Sequence, residues 1–176
     1  MDTVKDTFAG KLDILVNNAG LSLECTAEDH ARIMATNLES CFHLNQLAHR
    51  LLRNASVAGG GSIVLVHISS IASLIAFPGE ALYSTTKGGL NQLARSLAAE
   101  WAGDKIRVNS VAPGTTMTDT VKGVPPEALE QEALRIPARR IGKPEDVASV
   151  MSFLCLPAAS YVGQVICVDG GRTISA

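Results

Sequence analysis

The sequence is poor in charge. It holds no cysteine pair of metal-binding spacing and no apolar run that could span a bilayer. Only 18% of its 176 residues are charged, and the net charge is −2. No basic stripe stands out, so nucleic acid is not an expected partner. The four cysteines, Cys25, Cys41, Cys155 and Cys167, form no C-x-x-C, and no His-Glu-x-x-His occurs. Both absences argue against a metal site. The thiols read as reduced and buried, as in a cytoplasmic protein. The longest apolar runs, such as Ile63-Val64-Leu65-Val66, have strand length, so no membrane span is expected. Met1-Asp2-Thr3-Val4-Lys5-Asp6 lacks the apolar stretch of a signal peptide. Fifteen glycines are present, yet none spells a phosphate-binding loop. Gly59-Gly60-Gly61 follows a helical stretch and precedes a strand, the wrong order for a phosphate cradle, and no Gly-Lys-[Ser/Thr] ending follows it.

What is present is a 47% hydrophobic chain long enough for one domain with a real core, spanning residues 1–176. Short apolar runs at Leu12–Val16, Ile63–Ile68, Ile106–Ala112 and Gln164–Val168 predict four buried strands. Helical periodicity predicts a long helix from about Ala27 to Leu52, another from about Glu80 to Trp101, and a third opened by Pro144. Thr26 with Asp29 three residues on is an N-cap signal. Gly88-Gly89 costs helix propensity and suggests close approach of another backbone or a ligand. Strands alternating with helices predict an α/β domain with a mostly parallel sheet. Ligands bind beyond the carboxyl ends of the strands in such sheets. Asn17, Ser70 and Pro113-Gly114 each stand at such an end and are expected to line one crevice.

Chemistry concentrates around Tyr83 and Lys87. The two are four residues apart within a helix, so phenol and ammonium share a face, and Ser70 precedes the tyrosine by thirteen residues. A free phenol, with a pKa of roughly 10, is a poor acid or base near neutrality. A neighbouring cation favours the phenolate and is expected to pull that value down. Ser70 can then hydrogen-bond a substrate oxygen as charge develops on it. His30, His43, His49 and His67 read as ordinary surface or core histidines. Asp13, Asp104 and Arg139-Arg140 read as solvated surface.

The ordered set Asn17-Asn18-Ala19-Gly20, Thr36-Asn37-Leu38, Ser70, Tyr83-x-x-x-Lys87, Pro113-Gly114 and Cys167-Val168-Asp169-Gly170-Gly171 resembles the short-chain dehydrogenase/reductase family. Met34–Ser40, Asn91-Gln92-Leu93-Ala94-Arg95 and Phe153–Tyr161 bring it closest to the tropinone-reductase-like group. The resemblance covers essentially the whole chain and about the C-terminal two-thirds of the family's fold. It implies a Rossmann-like doubly wound parallel sheet and NAD(P)H-dependent reduction of a ketone to an alcohol. NADP(H) is favoured by resemblance, and NAD(H) is not excluded. By resemblance Tyr83 is the proton donor and, with Lys87, also contacts the cofactor, while Lys87 lowers the tyrosine pKa and holds the nicotinamide ribose. Ser70 orients the carbonyl, and Asn37 holds a water in the proton relay. Asn17, Ala19 and Gly20 fall where the family packs its backbone along the cofactor. Pro113, Gly114, Thr116 and Thr118 match the stretch at the nicotinamide and pyrophosphate. A homo-oligomer, dimer or tetramer, is implied through the helices at about 27–52 and 80–102.

The sequence departs from the family at its start. The pattern Thr-Gly-x-x-x-Gly-x-Gly after a first strand is absent, so the first βαβαβ nucleotide-binding segment is expected to be missing. The strand at Leu12–Val16 is then expected to be an exposed apolar edge. The loop between Gly20 and Thr26 is short, and Tyr161-Val162-Gly163-Gln164 lacks a residue before its glycine. The pattern fits a truncated or alternatively spliced product, or an imperfect gene model. An alternative function follows: a catalytically impaired form that acts as a subunit-interaction protein. A sugar-nucleotide epimerase or dehydratase also shares Tyr-x-x-x-Lys, but Asn17-Asn18-Ala19-Gly20 and Val168-Asp169-Gly170-Gly171 argue against it.

Overall fold

The computed structural model describes residues 1–22, 26–59 and 62–175. Four strands form one parallel sheet in sequential order: β1 (Ile14–Asn17), β2 (Val64–Ile68), β3 (Arg107–Pro113) and β4 (Val165–Val168). The expected α/β class and all four expected strands are present. The helices are α1 (Asp2–Thr7), α2 (Ala27–Met34), α3 (Ser40–Val57), α4 (Ala81–Trp101), α5 (Pro126–Arg135) and α6 (Pro144–Cys155).

Side-chain alternation on β2 splits the core in two. Leu65 points toward α3 and α4, where it joins Leu52, Ala94, Leu97, Trp101 and Val108. Val64 and Val66 point the other way and pack with Val111 and Leu154, with Val147 and Val150 of α6 alongside. A central strand covered on both faces must be apolar on both, which explains its unbroken run. Burying each such side chain stabilises the fold by roughly 1.5–3 kcal/mol.

The long helix expected at 27–52 is three segments. Thr26 caps α2, its Oγ accepting from the Asp29 N–H at 3.1 Å. A π-helical turn, Ala35–Glu39, then leads into α3, which runs on to Val57. Such widened turns re-aim the residues they contain, and here the turn buries Asn37 completely. Helix α1, unforeseen, buries no residue and leaves no apolar stripe to read.

Of the paired glycines of α4 one serves packing, and what approaches it is a side chain, not the expected backbone or ligand. A Cβ on Gly89 would come within 3.0 Å of the Leu38 side chain, whereas Gly88 faces open space. The short loop after Gly20 and the end of the Gly59-Gly60-Gly61 run lie partly outside the described residues. Strand β1 stands at the sheet edge, and its Ile14 and Val16 are about two-fifths exposed. Among the described residues, no helix is long and apolar enough to cross a membrane.

Candidate active site

Helix α4 is the frame of the site. Tyr83, Lys87 and Asn91 recur every fourth residue, so all three project from one side of it. Lys87 and Asn91 are buried. The Lys87 ammonium donates to the Ile68 carbonyl at the end of β2, at 2.9 Å, and lies 5.6 Å from the Tyr83 ring centroid. A Cβ on Gly20 would stand 3.2 Å from Lys87 Nζ and 3.4 Å from Asn37 Oδ1. The bare backbone at Gly20 is what lets lysine and asparagine come this close. Burial pushes the Lys87 amine down to about 8, with the Cys41 thiol acting weakly the other way.

Tyr83 departs from the expectation that its lysine would lower its pKa. Burial pushes the phenol up, the Ser70 hydroxyl pulls it back, and Glu80 pushes it up again. Lost hydration is the largest of these effects. Ser70 sits just beyond β2, where its Oγ accepts from the Ala72 N–H at 3.1 Å. That bond occupies a lone pair and leaves the hydroxyl proton to be donated. Ser70 is therefore set up as a donor toward an oxygen beside Tyr83.

Asn37 is fully satisfied within the protein. Its Oδ1 accepts from the Leu21 N–H at 2.9 Å, and its amide nitrogen donates to the Leu21 carbonyl at 2.8 Å and to Thr86 Oγ at 3.2 Å. Thr86 Oγ in turn donates to the Tyr83 carbonyl at 2.8 Å. The π-helical turn, the Gly20 loop and α4 are thus sewn together around one asparagine. Both amide protons are committed, so the side chain has no donor to spare for a relay water, while Oδ1 keeps one lone pair.

Asn17 closes β1 with its side chain inward. Its amide nitrogen donates to Asn45 Oδ1 at 2.8 Å and lies 3.3 Å from His67 Nδ1, while Asn45 Nδ2 lies 3.3 Å from His67 Nε2. All three residues are buried. Burial, with the Lys87 charge nearby, drives His67 down to about 4, so its ring is neutral near neutrality. The sequence reading missed Asn45 and the network role of His67. The signal was a polar residue within an apolar stripe: Asn45 falls between Cys41 and Ala48 on the inner face of α3. Ala19 and Gly20, by contrast, are exposed and present backbone to the crevice.

The third strand end is organised differently. Gly114 faces Asp169, where a Cβ would come within 3.0 Å of the aspartate Cα. Thr116 Oγ donates to the Gly114 carbonyl at 2.9 Å, and Thr116 bridges to Gly142. Thr116 lines an open cleft of about 440 Å³ with Arg140, Asp146, Cys167 and Asp169. None of Asn37, Ser70, Tyr83 or Lys87 lines that cleft. Thr118 is exposed at the start of a short 3-10 turn and makes no capping bond. The structure therefore gathers Asn37, Tyr83, Lys87 and Gly20, with Ser70 beside Tyr83, and places Thr116 on the cleft by Asp169. Among the described residues no cluster of side chains suits a metal ion.

This geometry meets close parallels among known proteins. The family model described as enoyl-(acyl carrier protein) reductase matches residues 1–173. Senescence-associated protein 13 of Arabidopsis thaliana is 50% identical, the match covering 99% of this chain and 66% of that protein. A tropinone reductase homolog of the same plant is 48% identical with the same coverage. The chain thus spans about two thirds of the length of these relatives. The solved structure of ElxO with NADP bound superposes with a TM-score of 0.89 at 29% identity, covering 99% of this chain and 72% of that one. The chain belongs to the short-chain dehydrogenase/reductase family and, within it, is tropinone-reductase-like.

Proposed function

We propose that the chain carries the acid–base half of an NAD(P)H-dependent carbonyl reductase that acts on a ketone. One observation carries this reading: Tyr83, with the Ser70 hydroxyl beside it, shares a face of α4 with a buried amine. Bound reduced cofactor would supply the hydride, one proton with two electrons, to the carbonyl carbon. Lys87, Ala19 and Gly20 would hold its nicotinamide ribose. They fit that role, because a buried amine with donors left over faces a residue without a side chain. Pro113, Gly114, Thr116 and Thr118 would flank its pyrophosphate side. NADP(H) is favoured because several similar solved structures carry NADP or NADPH, and NAD(H) stays open because one comparably similar reductase is complexed with NADH.

The chain's own residues then manage one proton. Ser70 donates a hydrogen bond to the carbonyl oxygen and fixes its direction. The Tyr83 O–H bond breaks as the proton passes to that oxygen, giving the alcohol and a phenolate. Lys87 offsets the phenolate charge, which is worth most where water is excluded. Solvent returns the proton. A relay water at Asn37 would donate to the remaining lone pair of Oδ1 or to the main-chain carbonyl, which the Cys41 thiol approaches at 3.5 Å.

Titrating the purified protein with NADPH, followed by its fluorescence, tests the reading. A saturable change and ketone-dependent oxidation are expected. No saturable change at millimolar cofactor would sink it for this chain.

A second reading, a subunit-interaction protein without turnover, is favoured by Phe42, Leu44 and Leu47, which stand exposed on α3. The same face, with α4, is the surface proposed for a homo-oligomer. Co-expression with a full-length relative should give co-elution on size exclusion, and separate elution would remove the idea.

A further inference from the structure

Asn91 is an anomaly on α4. It is 2% exposed, yet its Oδ1 finds no hydrogen-bond partner among the described residues. Leaving a buried amide oxygen unpaired costs free energy, so the contact its nitrogen makes should matter. That contact is short and specific: Asn91 Nδ2 donates to Ser73 Oγ at 2.6 Å. The Ser73 hydroxyl in turn donates a hydrogen bond to the Ser70 carbonyl. The Ser73 N–H donates to the same carbonyl at 3.0 Å. One residue earlier, Ser69 Oγ donates to the Lys87 carbonyl at 3.1 Å. The loop bearing Ser70 is thus tied to α4 on both sides, once at Lys87 and once at Asn91.

We propose that Ser73 and Asn91 are positioning residues, which lock the Ser70 loop to the helix that carries Tyr83 and so aim the Ser70 hydroxyl at the phenol. The proposal rests on the reading of Ser70 and Tyr83 as the groups at the carbonyl oxygen. Its physical content is a fixed separation. Ser70 lies two residues beyond the end of β2 and Tyr83 in the first turn of α4, and twelve residues, 71–82, part them in sequence, seven of them, 74–80, in no helix or strand. Without a tie, the hydroxyl would swing with that loop. The Asn91–Ser73–Ser70 chain removes that freedom before any ligand arrives, which is how preorganised donors act. Neither Ser73 nor Asn91 needs to touch substrate. Lys87 lies over the same phenol and Glu80 opens the same helix, so both face the ring in every variant and are left unchanged.

The chain has two tyrosines, Tyr83 and the half-exposed Tyr161. Tyr161→Phe therefore leaves Tyr83 as the sole phenol, and its ionisation can be followed by NMR of a ¹³Cζ tyrosine label, with no need for turnover. In that background Ser70→Ala should raise the titration midpoint by about 0.5–1 unit, the size expected for one lost hydrogen bond to the charged form. Ser73→Ala should raise it by at least half as much, although Ser73 does not contact the ring. Ser73→Thr should restore it, and Ser70→Ala with Ser73→Ala should match Ser70→Ala alone. A thermal melt of each variant separates this from simple destabilisation, which would lower the melting point without moving the midpoint. If Ser70→Ala shifts the midpoint and Ser73→Ala leaves it in place, the positioning role is overturned and the Ser70 reading stands. If Ser70→Ala itself has no effect, both fall. Asn91→Ala should copy Ser73→Ala, and should it fail to fold, the Ser73 pair decides.

Discussion

A buried amine beside a half-buried phenol is costly to keep, and at Lys87 the cost can be measured. The unfolded lysine releases its proton near 10.5 and the folded one near 8. Below about 8 both states are protonated and the fold bears the whole penalty of a desolvated charge. Between about 8 and 10.5 the unfolded chain holds a proton that the folded chain has lost, so stability rises with pH across that window. The penalty is roughly 3 kcal/mol. Lys87→Met should remove it, lose the bond to the Ile68 carbonyl, and stabilise the protein at pH 7 by a net of about 1–2 kcal/mol. Urea unfolding at neutral and alkaline pH checks this; an unchanged or lower stability at pH 7 refutes it. Tyr83→Phe separates chemistry from binding. If the full reading holds, ketone turnover drops at least ~100-fold, the scale of a lost general acid. The cofactor titration should still saturate, because Lys87 and the backbone at Ala19 and Gly20 remain to hold the ribose. Both residues were legible in the sequence because helical spacing alone puts i and i+4 on one face. The raised phenol pKa was not, since desolvation depends on packing from elements far away in the chain.

At the scale of elements, the buried triad of Asn17, Asn45 and His67 joins β1, α3 and β2 at the floor of the site. Its histidine makes the fold acid-sensitive. The unfolded ring takes a proton near 6.5, whereas the folded ring resists until about 4. Stability is therefore intact above about 6.5 and is lost as pH falls toward 4, by roughly 2 kcal/mol between pH 7 and 5. His67→Phe should strand two asparagine amides and cost about 1–3 kcal/mol at pH 7. It should also flatten the profile between pH 7 and 5. Denaturant midpoints at the two pH values decide the matter: a slope unchanged by the substitution assigns the acid sensitivity elsewhere. The same elements show what a sequence can and cannot disclose. Strands such as β2 were readable because a strand buried on both faces must be an apolar run. The break at Ala35–Glu39 was not, because a π-helical turn has the composition of the helix around it and differs only in which carbonyl each N–H meets. The triad was hidden for a related reason. Its three members are twenty-eight and fifty residues apart from Asn17, and only the Asn17–His67 register and the packing of α3 bring them together.

For the molecule as a whole, the informative surface is the edge at β1. Leu15 and Asn17 turn toward α3, so Ile14 and Val16 point to the opposite face of the sheet. Helix α6 covers that face over β2, β3 and β4. Ile14 and Val16 are left 42% and 39% exposed, on a strand that, among the described residues, pairs with β2 alone. An edge with free N–H and C=O groups next to two β-branched side chains is a template for pairing with another chain. Expressed by itself, this chain should therefore associate through β1, with light scattering that rises with concentration. Val16→Lys places a charge on that face, where it can reach water and where it repels a second copy. The change removes little buried area, so the melting point should move by only a few degrees while the scattering falls. A Ser149→Lys change on the exposed side of α6 adds the same charge elsewhere and should leave the scattering unaltered. If both substitutions reduce association equally, net charge is responsible and β1 is not the contact. If neither does, the exposed Phe42, Leu44 and Leu47 of α3 become the surface to alter next.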